Sequence, residues 1–273
     1  MNWRIGAVSY LNTKPLIYGL REHLPGSELI LDLPSRLADR LAAGELDVAL
    51  IPSVEFLRGE GLEIVSDACI ACRGPVRSVR VLFRKPPSQV KTLALDEGSR
   101  TSAALAQVLL AERFGVRPVR QQLDIDAVIA DCTADAILVI GDRAMSLDLS
   151  DYCGSWDLGE EWVRETGLPF VFAMWVARGQ VSTEICDALE QARNSGLANL
   201  DEIVEREAPK YRLSSAICEE YFRRHLHFYL GERERAGLSL FSRHADSLGL
   251  TSKNRDHFSL HLPANEFQQA TPL

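Results

Sequence analysis

An alternation of short apolar strands and short helices begins at the fourth residue and leaves this chain few architectures. Residues 4–10, RIGAVSY, are apolar and partly β-branched and read as a buried strand. In the LNTKPLIYGLRE that follows, Thr13 is placed as an N-cap, and Pro15 falls in the first turn, where its missing N–H costs nothing. ELILDL, residues 28–33, reads as a second strand. SRLADRLAAGELD reads as a helix capped by Ser35, with Leu37 and Leu41 on one face and Gly44 as its stop. VALIP, residues 48–52, is a third buried strand, and Ser53 is placed as the cap of a short helix, SVEFL. Strands and helices in this order make an α/β unit with a mainly parallel sheet. Such sheets collect ligands beyond the carboxyl ends of their strands.

A second alternation follows. VRSVRVLFRKPP reads as a strand with a Pro-Pro stop, and TLALD, VRQQLD and ADAILVIG read as strands. A helix, TSAALAQVLLAERFG, starts after EGSRTS, and residues 167–179 form a long apolar strand. From there to about Leu250 the pattern is helical. Two α/β units predict two lobes: residues 1–82 with 175–250, and residues 83–174. The chain is expected to cross between them near 80–86 and near 172–178, and residues 251–273 form a loose tail.

The chain carries 30 Lys and Arg against 38 Asp and Glu, a net charge of −8, so a nucleic-acid partner is not expected. There is no apolar stretch of transmembrane length and no signal-peptide core near the N-terminus, which predicts a cytoplasmic protein without a membrane partner. In that compartment Cys69, Cys72, Cys132, Cys153, Cys186 and Cys218 are expected as thiols. Nothing in the sequence sets an oligomeric state.

Three strand ends are rich in small polar residues: 9–13 (SYLNT), 53–55 (SVE) and 96–102 (DEGSRTS). Each leads into a helix, whose free N–H groups and positive end can hold a carboxylate or phosphate; plain N-capping explains each equally well when taken alone. Gly141 and Asp142 form a fourth strand-end turn, with Asp142-Arg143 as a local ion pair or a site acid. Glu55 is either a base or a helix-start acid. No Gly-x-Ser-x-Gly elbow, Rossmann fingerprint or P-loop is present, and residues 24–224 contain no histidine, so nucleophilic, NAD and ATP chemistry have no support. His225 and His227 are expected on different faces of a helix rather than as a metal pair. Cys69-x-x-Cys72 has no second pair nearby and reads as structural. Trp156, Trp162 and Trp175 read as core-filling.

Five strings in order, AVSYLNTKPLIYGL, GELDVALIPSVE, DEGSRTSAALAQVLL, ADAILVIGDRA and DLGEEWVRETGLPFVFAMWVARG, resemble the chorismate dehydratase family of the futalosine route to menaquinone. The resemblance runs from about Arg4 to Leu250 and leaves the tail uncovered. It implies the α/β fold of type II periplasmic solute-binding proteins: two lobes, mixed sheets flanked by helices, and a ligand cleft between the lobes. It also implies a hydro-lyase that takes chorismate to 3-[(1-carboxyvinyl)oxy]benzoate and water with no cofactor and no metal. Asn12, in YLNT, matches the family's polar residue at the first strand end, and Ser78, in VRSVRVL, matches a substrate-contacting serine; these are the expected catalytic residues. Thr101 and Ser102 match a helix start that holds a carboxylate. Tyr10, Ser53, Ser99, Gly141 and Asp142 complete the expected substrate-binding set.

The sibling 1,4-dihydroxy-6-naphthoate synthases share that fold, but they carry a Ser-Pro-Cys-Pro-Asn-Asp-like motif where this chain has Ser9 to Thr13, and they use a mid-chain histidine. A solute-binding protein for a small carboxylate, without catalysis, is the alternative from a different class, since function lives in the site and not in the fold. For the dehydration itself, loss of the C3 proton and C4 hydroxyl makes the ring aromatic. The base is then either the substrate's own enolpyruvyl carboxylate, oriented by Asn12, or the side chain of Glu55 or Asp142.

Overall fold

Every residue of VALIP is buried, as befits a strand covered on both faces at the middle of a sheet. The computed structural model describes residues 3–251; apart from Thr251, the expected tail lies outside the described residues. Its strands are β1 (Arg4–Val8), β2 (Glu28–Asp32), β3 (Val48–Pro52), β4 (Leu62–Cys72), β5 (Val79–Phe83), β6 (Thr92–Asp96), β7 (Val119–Leu123), β8 (Ala136–Ile140), β9 (Gly154–Asp157), β10 (Phe170–Arg178) and β11 (His227–Tyr229). The first sheet has the order β11-β4-β10-β3-β1-β2, and the second β7-β6-β8-β5-β9. Both are mixed. β1 runs parallel to β2 and β3, with Ile5 opposite Val48, while β10 runs antiparallel to β3 and β4. β6 is parallel to β7 and β8, and β5 is antiparallel to β8 and β9.

The helices are α1 (Leu20–His23), α2 (Pro34–Ala42), α3 (Ser53–Arg58), α4 (Thr101–Phe114), α5 (Leu158–Thr166), α6 (Thr183–Ala198), α7 (Leu200–Glu207), α8 (Ser215–Glu220) and α9 (Glu232–Ser247). α4 is apolar nearly all round; Leu105, Val108, Leu109 and Leu110 are buried, because the helix is wedged between β8 on one side and β10 and α9 on the other. Gly115 ends it at φ 66, a left-handed turn that glycine adopts without strain. Trp162 and Trp175 are fully buried, and each contributes about 2–3 kcal/mol of apolar burial. Trp156 is partly buried and packs edge-on against Phe83. None of the helices among the described residues is long and apolar enough to cross a membrane.

Several local expectations are corrected. Leu11–Ile17 is a 3-10 helix with Tyr10 at its cap position, and Thr13 lies buried inside it rather than capping it. Pro15 supplies no amide hydrogen to an α-helical ladder, which favours a short, tight turn here. α2 begins two residues early because Pro34 takes the first helical position, so Ser35 lies within the helix. Ser53 is the first residue of α3 and does not cap it. The C-terminal helical run breaks at β11: His225 closes a π-helical turn, Tyr221–His225, and His227 opens the strand, so the two are not on one helix. β5 lies wholly in the second sheet and β10 wholly in the first. The chain therefore passes between sheets at 73–78 and 158–169, not at 80–86 and 172–178, since residues locked in a ladder cannot serve as a crossing.

Candidate active site

The carboxyl ends of β1 and β3 from the first sheet meet those of β6 and β8 from the second. Between them lies a cleft of about 520 Å³, counting its open mouth. Its polar lining is Tyr10, Asn12, Ser78, Ser99, Arg100, Thr101 and Ser102, with Gly98 and Gly141 in the walls. Ile70, Val76, Val79, Ile140 and Phe172 supply apolar surface. Of the residues expected from sequence, Tyr10, Asn12, Ser78, Ser99, Thr101, Ser102 and Gly141 are brought together here; Ser53 and Asp142 are not among the lining residues.

Asn12 sits on the 3-10 turn after β1, and α6 holds that turn in place. A Cβ added at Gly196 would run into the Pro15 backbone, so only glycine lets the helix pack this closely. Asn12 Oδ1 accepts from the Thr13 hydroxyl at 3.3 Å. Ser78 is set by the 73–78 crossing. Arg77 holds a left-handed φ of 63, which costs a non-glycine residue roughly 1–2 kcal/mol. Asp157 offsets that cost: its buried carboxylate accepts from Val76 N at 2.9 Å and Arg77 N at 2.6 Å while capping α5 through Gly159 N and Glu160 N. The Ser78 carbonyl in turn accepts from Gly141 N at 2.9 Å, fixing the turn after β8.

The turn before α4 is built on Asp96, whose Oδ1 accepts from Gly98 N at 3.1 Å and whose Oδ2 accepts from Arg143 at 2.5 Å. Arg100 stands at the cap position, and its side chain makes no cap hydrogen bond to the amides of the first turn. Its guanidinium reaches out of the cleft to Asp39 at 2.9 and 2.7 Å and to Glu55 at 3.3 Å, so ion pairs tie α4 to α2 and α3. Tyr10 lies against the two glycine turns. A Cβ on Gly98 would sit 2.8 Å from its hydroxyl and one on Gly141 within 3.2 Å of its ring, and Gly141 also needs φ 73. The Tyr10 hydroxyl is buried without a partner among the described residues. Burial and nearby Asp96 push its pKa well up, so it stays a neutral donor.

The two expected residues outside the lining stand just behind it. The Ser53 hydroxyl donates to the Val171 carbonyl at 2.7 Å, beside an irregularity of β10, and Val54 N donates to Thr101 Oγ1 at 3.2 Å. Asp142 accepts from Leu11 N at 3.2 Å, and burial raises its carboxyl to about 6. Glu55 is held by Arg58 at 2.6 Å and by Arg100, and it too is absent from the lining. Cys69 and Cys72 are buried on β4; burial pushes the Cys72 thiol up to about 12 and Cys69 well above its usual value, so both are packing groups. Sequence reading missed Tyr221. It is buried, and its hydroxyl donates to Ser78 Oγ at 2.8 Å from 143 residues away, a separation no local pattern reveals.

The sequence model of a family described as menaquinone biosynthesis matches residues 3–247. A chorismate dehydratase of Thermus thermophilus is 30% identical over 90% of this chain and 95% of its own length. Another, from Campylobacter jejuni, is 32% identical over 62% of this chain and 64% of its own length. Among solved structures, a protein of Archaeoglobus fulgidus superposes with a TM-score of 0.74 at 19% identity, covering 91% of this chain and 98% of that one. The alkanesulfonate-binding protein of Xanthomonas axonopodis pv. citri, bound to MOPS, gives a TM-score of 0.67 at 15% identity, covering 92% and 94%. The two-lobed architecture is thus that of the periplasmic binding proteins, and by sequence the chain belongs to the menaquinone-biosynthesis family.

Proposed function

We propose that the chain dehydrates chorismate to 3-[(1-carboxyvinyl)oxy]benzoate and water, the first committed step of the futalosine route to menaquinone, in the cytoplasm. The observation that carries this reading is the convergence of Asn12, Ser78 and the start of α4 on one cleft with apolar walls. That is the environment a flat, dianionic ring needs. The start of α4, with Thr101 and Ser102, holds the ring carboxylate, and the neutral donors Tyr10 and Ser99 lie beside it. Asn12 and Ser78 face the reacting edge. The two lobes divide at the sheet crossings, near 78 and 166, and close over the substrate.

The reaction is redox-neutral. The C3–H bond breaks toward a carboxylate, charge spreads into the ring carboxylate, and the C4–O bond breaks. The departing hydroxide takes up the proton as water. Aromatisation drives the step, so no cofactor is called on, and the protein's task is positioning. Glu55 is occupied by two arginines and Asp142 stands behind the turn, which favours the substrate's own enolpyruvyl carboxylate as the base.

The test is turnover of chorismate by the purified chain, with products identified by mass and NMR. The enol ether benzoate is expected, and Asn12→Ala is expected to lower kcat by about 10²–10³ without unfolding the chain. Recovery of intact, bound chorismate makes the chain a binding protein; 4-hydroxybenzoate with pyruvate makes it a lyase of the other bond.

A further inference from the structure

We propose that Tyr221 is a positioning residue for this reaction, acting through Ser78; the proposal rests on the function given above. Tyr221 begins the π-helical turn that follows α8, a distortion that recurs at functional positions. Its hydroxyl is enclosed and donates to Ser78 Oγ at 2.8 Å. Asn12, on the turn after β1, lines the same cleft as Ser78. One enclosed hydroxyl therefore braces Ser78, the residue assigned to the reacting edge at the crossing into the second sheet.

The chemistry follows from counting donors. A phenol has one proton, and here it goes to Ser78. Burial is the largest influence on Tyr221 and raises its pKa far above the ordinary value, with Asp142 and Asp157 adding to the effect. The phenol stays protonated at any working pH and always donates. Ser78 thus has an acceptor position filled and its own proton left over. No protein acceptor takes that proton among the described residues, and Ser78 lines the cleft. The serine O–H is directed toward the substrate as a fixed neutral donor, which favours charge that grows in the transition state over charge already present. No proton leaves Tyr221 in the cycle.

The test is a double-mutant cycle of Tyr221→Phe and Ser78→Ala, read as kcat and KM for chorismate. Tyr221→Phe keeps the ring and is expected to lower kcat at least about tenfold with KM within about threefold. In the Ser78→Ala background the same substitution is expected to cost less than about twofold, because the group it acts through is gone. Equal losses in both backgrounds, or an unchanged kcat, overturn the proposal, because a merely structural tyrosine does not depend on Ser78. Where turnover of the serine variant is too slow to follow, calorimetric binding of the reaction product to the same four proteins reads the same coupling. Should Tyr221→Phe not fold, 3-fluorotyrosine at position 221 keeps ring and hydroxyl but makes a stronger donor; a changed kcat at constant KM supports the proposal, and no change overturns it. A wild-type chain that leaves chorismate untouched overturns the function and this proposal together, whereas a silent Tyr221→Phe in an active enzyme overturns this proposal alone.

Discussion

Ser53 and Thr101 open their helices in the same way, each a hydroxyl residue just beyond the carboxyl end of a parallel strand, yet they face opposite duties. Ser53 spends its proton on the Val171 carbonyl inside the first sheet, whereas Thr101 lines the cleft. The same contrast divides Gly141, in the cleft wall, from Asp142, whose carboxylate holds Leu11 N behind it. A backbone partner alone does not separate these groups, since Thr101 Oγ1 itself accepts from Val54 N; what differs is that Thr101 also borders the cleft, whereas Ser53 and the Asp142 carboxylate lie behind it. At Ser53 the irregular β10 leaves a carbonyl to be satisfied, and at α4 the first turn borders the cleft.

The largest effect that would sharpen this division is a pH dependence at Asp142. Its carboxyl is raised to about 6 from 3.8, so the folded state holds the proton over a window in which the unfolded state has lost it. Stability from this group is greatest below about 4 and is lost as pH rises through about 6. Asp142→Asn keeps an acceptor for Leu11 N and removes the titration. Between pH 4 and 7 it is expected to gain up to about 3 kcal/mol on the wild type in denaturant unfolding. A constant difference across that range would mean that the carboxylate is not buried, and the division behind the cleft would break.

Next in size, Thr101→Val and Ser102→Ala are expected to raise KM for chorismate by about tenfold each, with a smaller change in kcat, because they remove ground-state holding of the ring carboxylate. Steady-state kinetics check this, and an unchanged KM would move the carboxylate to another part of the cleft. The smallest catalytic effect is expected at Ser53. Ser53→Ala leaves the Val171 carbonyl unsatisfied and costs about 1–3 kcal/mol of stability, with kcat within about threefold. A loss of kcat matching that of Asn12→Ala, at unchanged stability, would place Ser53 in the site after all.

Much of this molecule was legible from its pattern. The strands VALIP, TLALD and AILVI are apolar runs flanked by turn residues, and each forms at the expected place because a strand covered on both faces requires continuous apolar sequence. Helix starts were less legible. Thr13, Ser35 and Ser53 all have the chemistry of a cap, but each lies within its helix; at α2 and α3 a proline at or just before the first helical residue sets the start by fixing its own φ. β11 escaped notice because three residues beside β4 carry too little pattern of their own.

The sequence by itself determined the alternation of strands and helices, and with it the placing of polar turns at strand ends, because periodicity and turn chemistry act over a few residues. Its motif strings also carried the family. Only the tertiary structure decided which of those turns share a cleft, which hydroxyls are already spent, and that Tyr221 reaches Ser78. Those outcomes depend on donors and acceptors brought together from distant parts of the chain, where a side chain's role is set by what packing leaves unpaired.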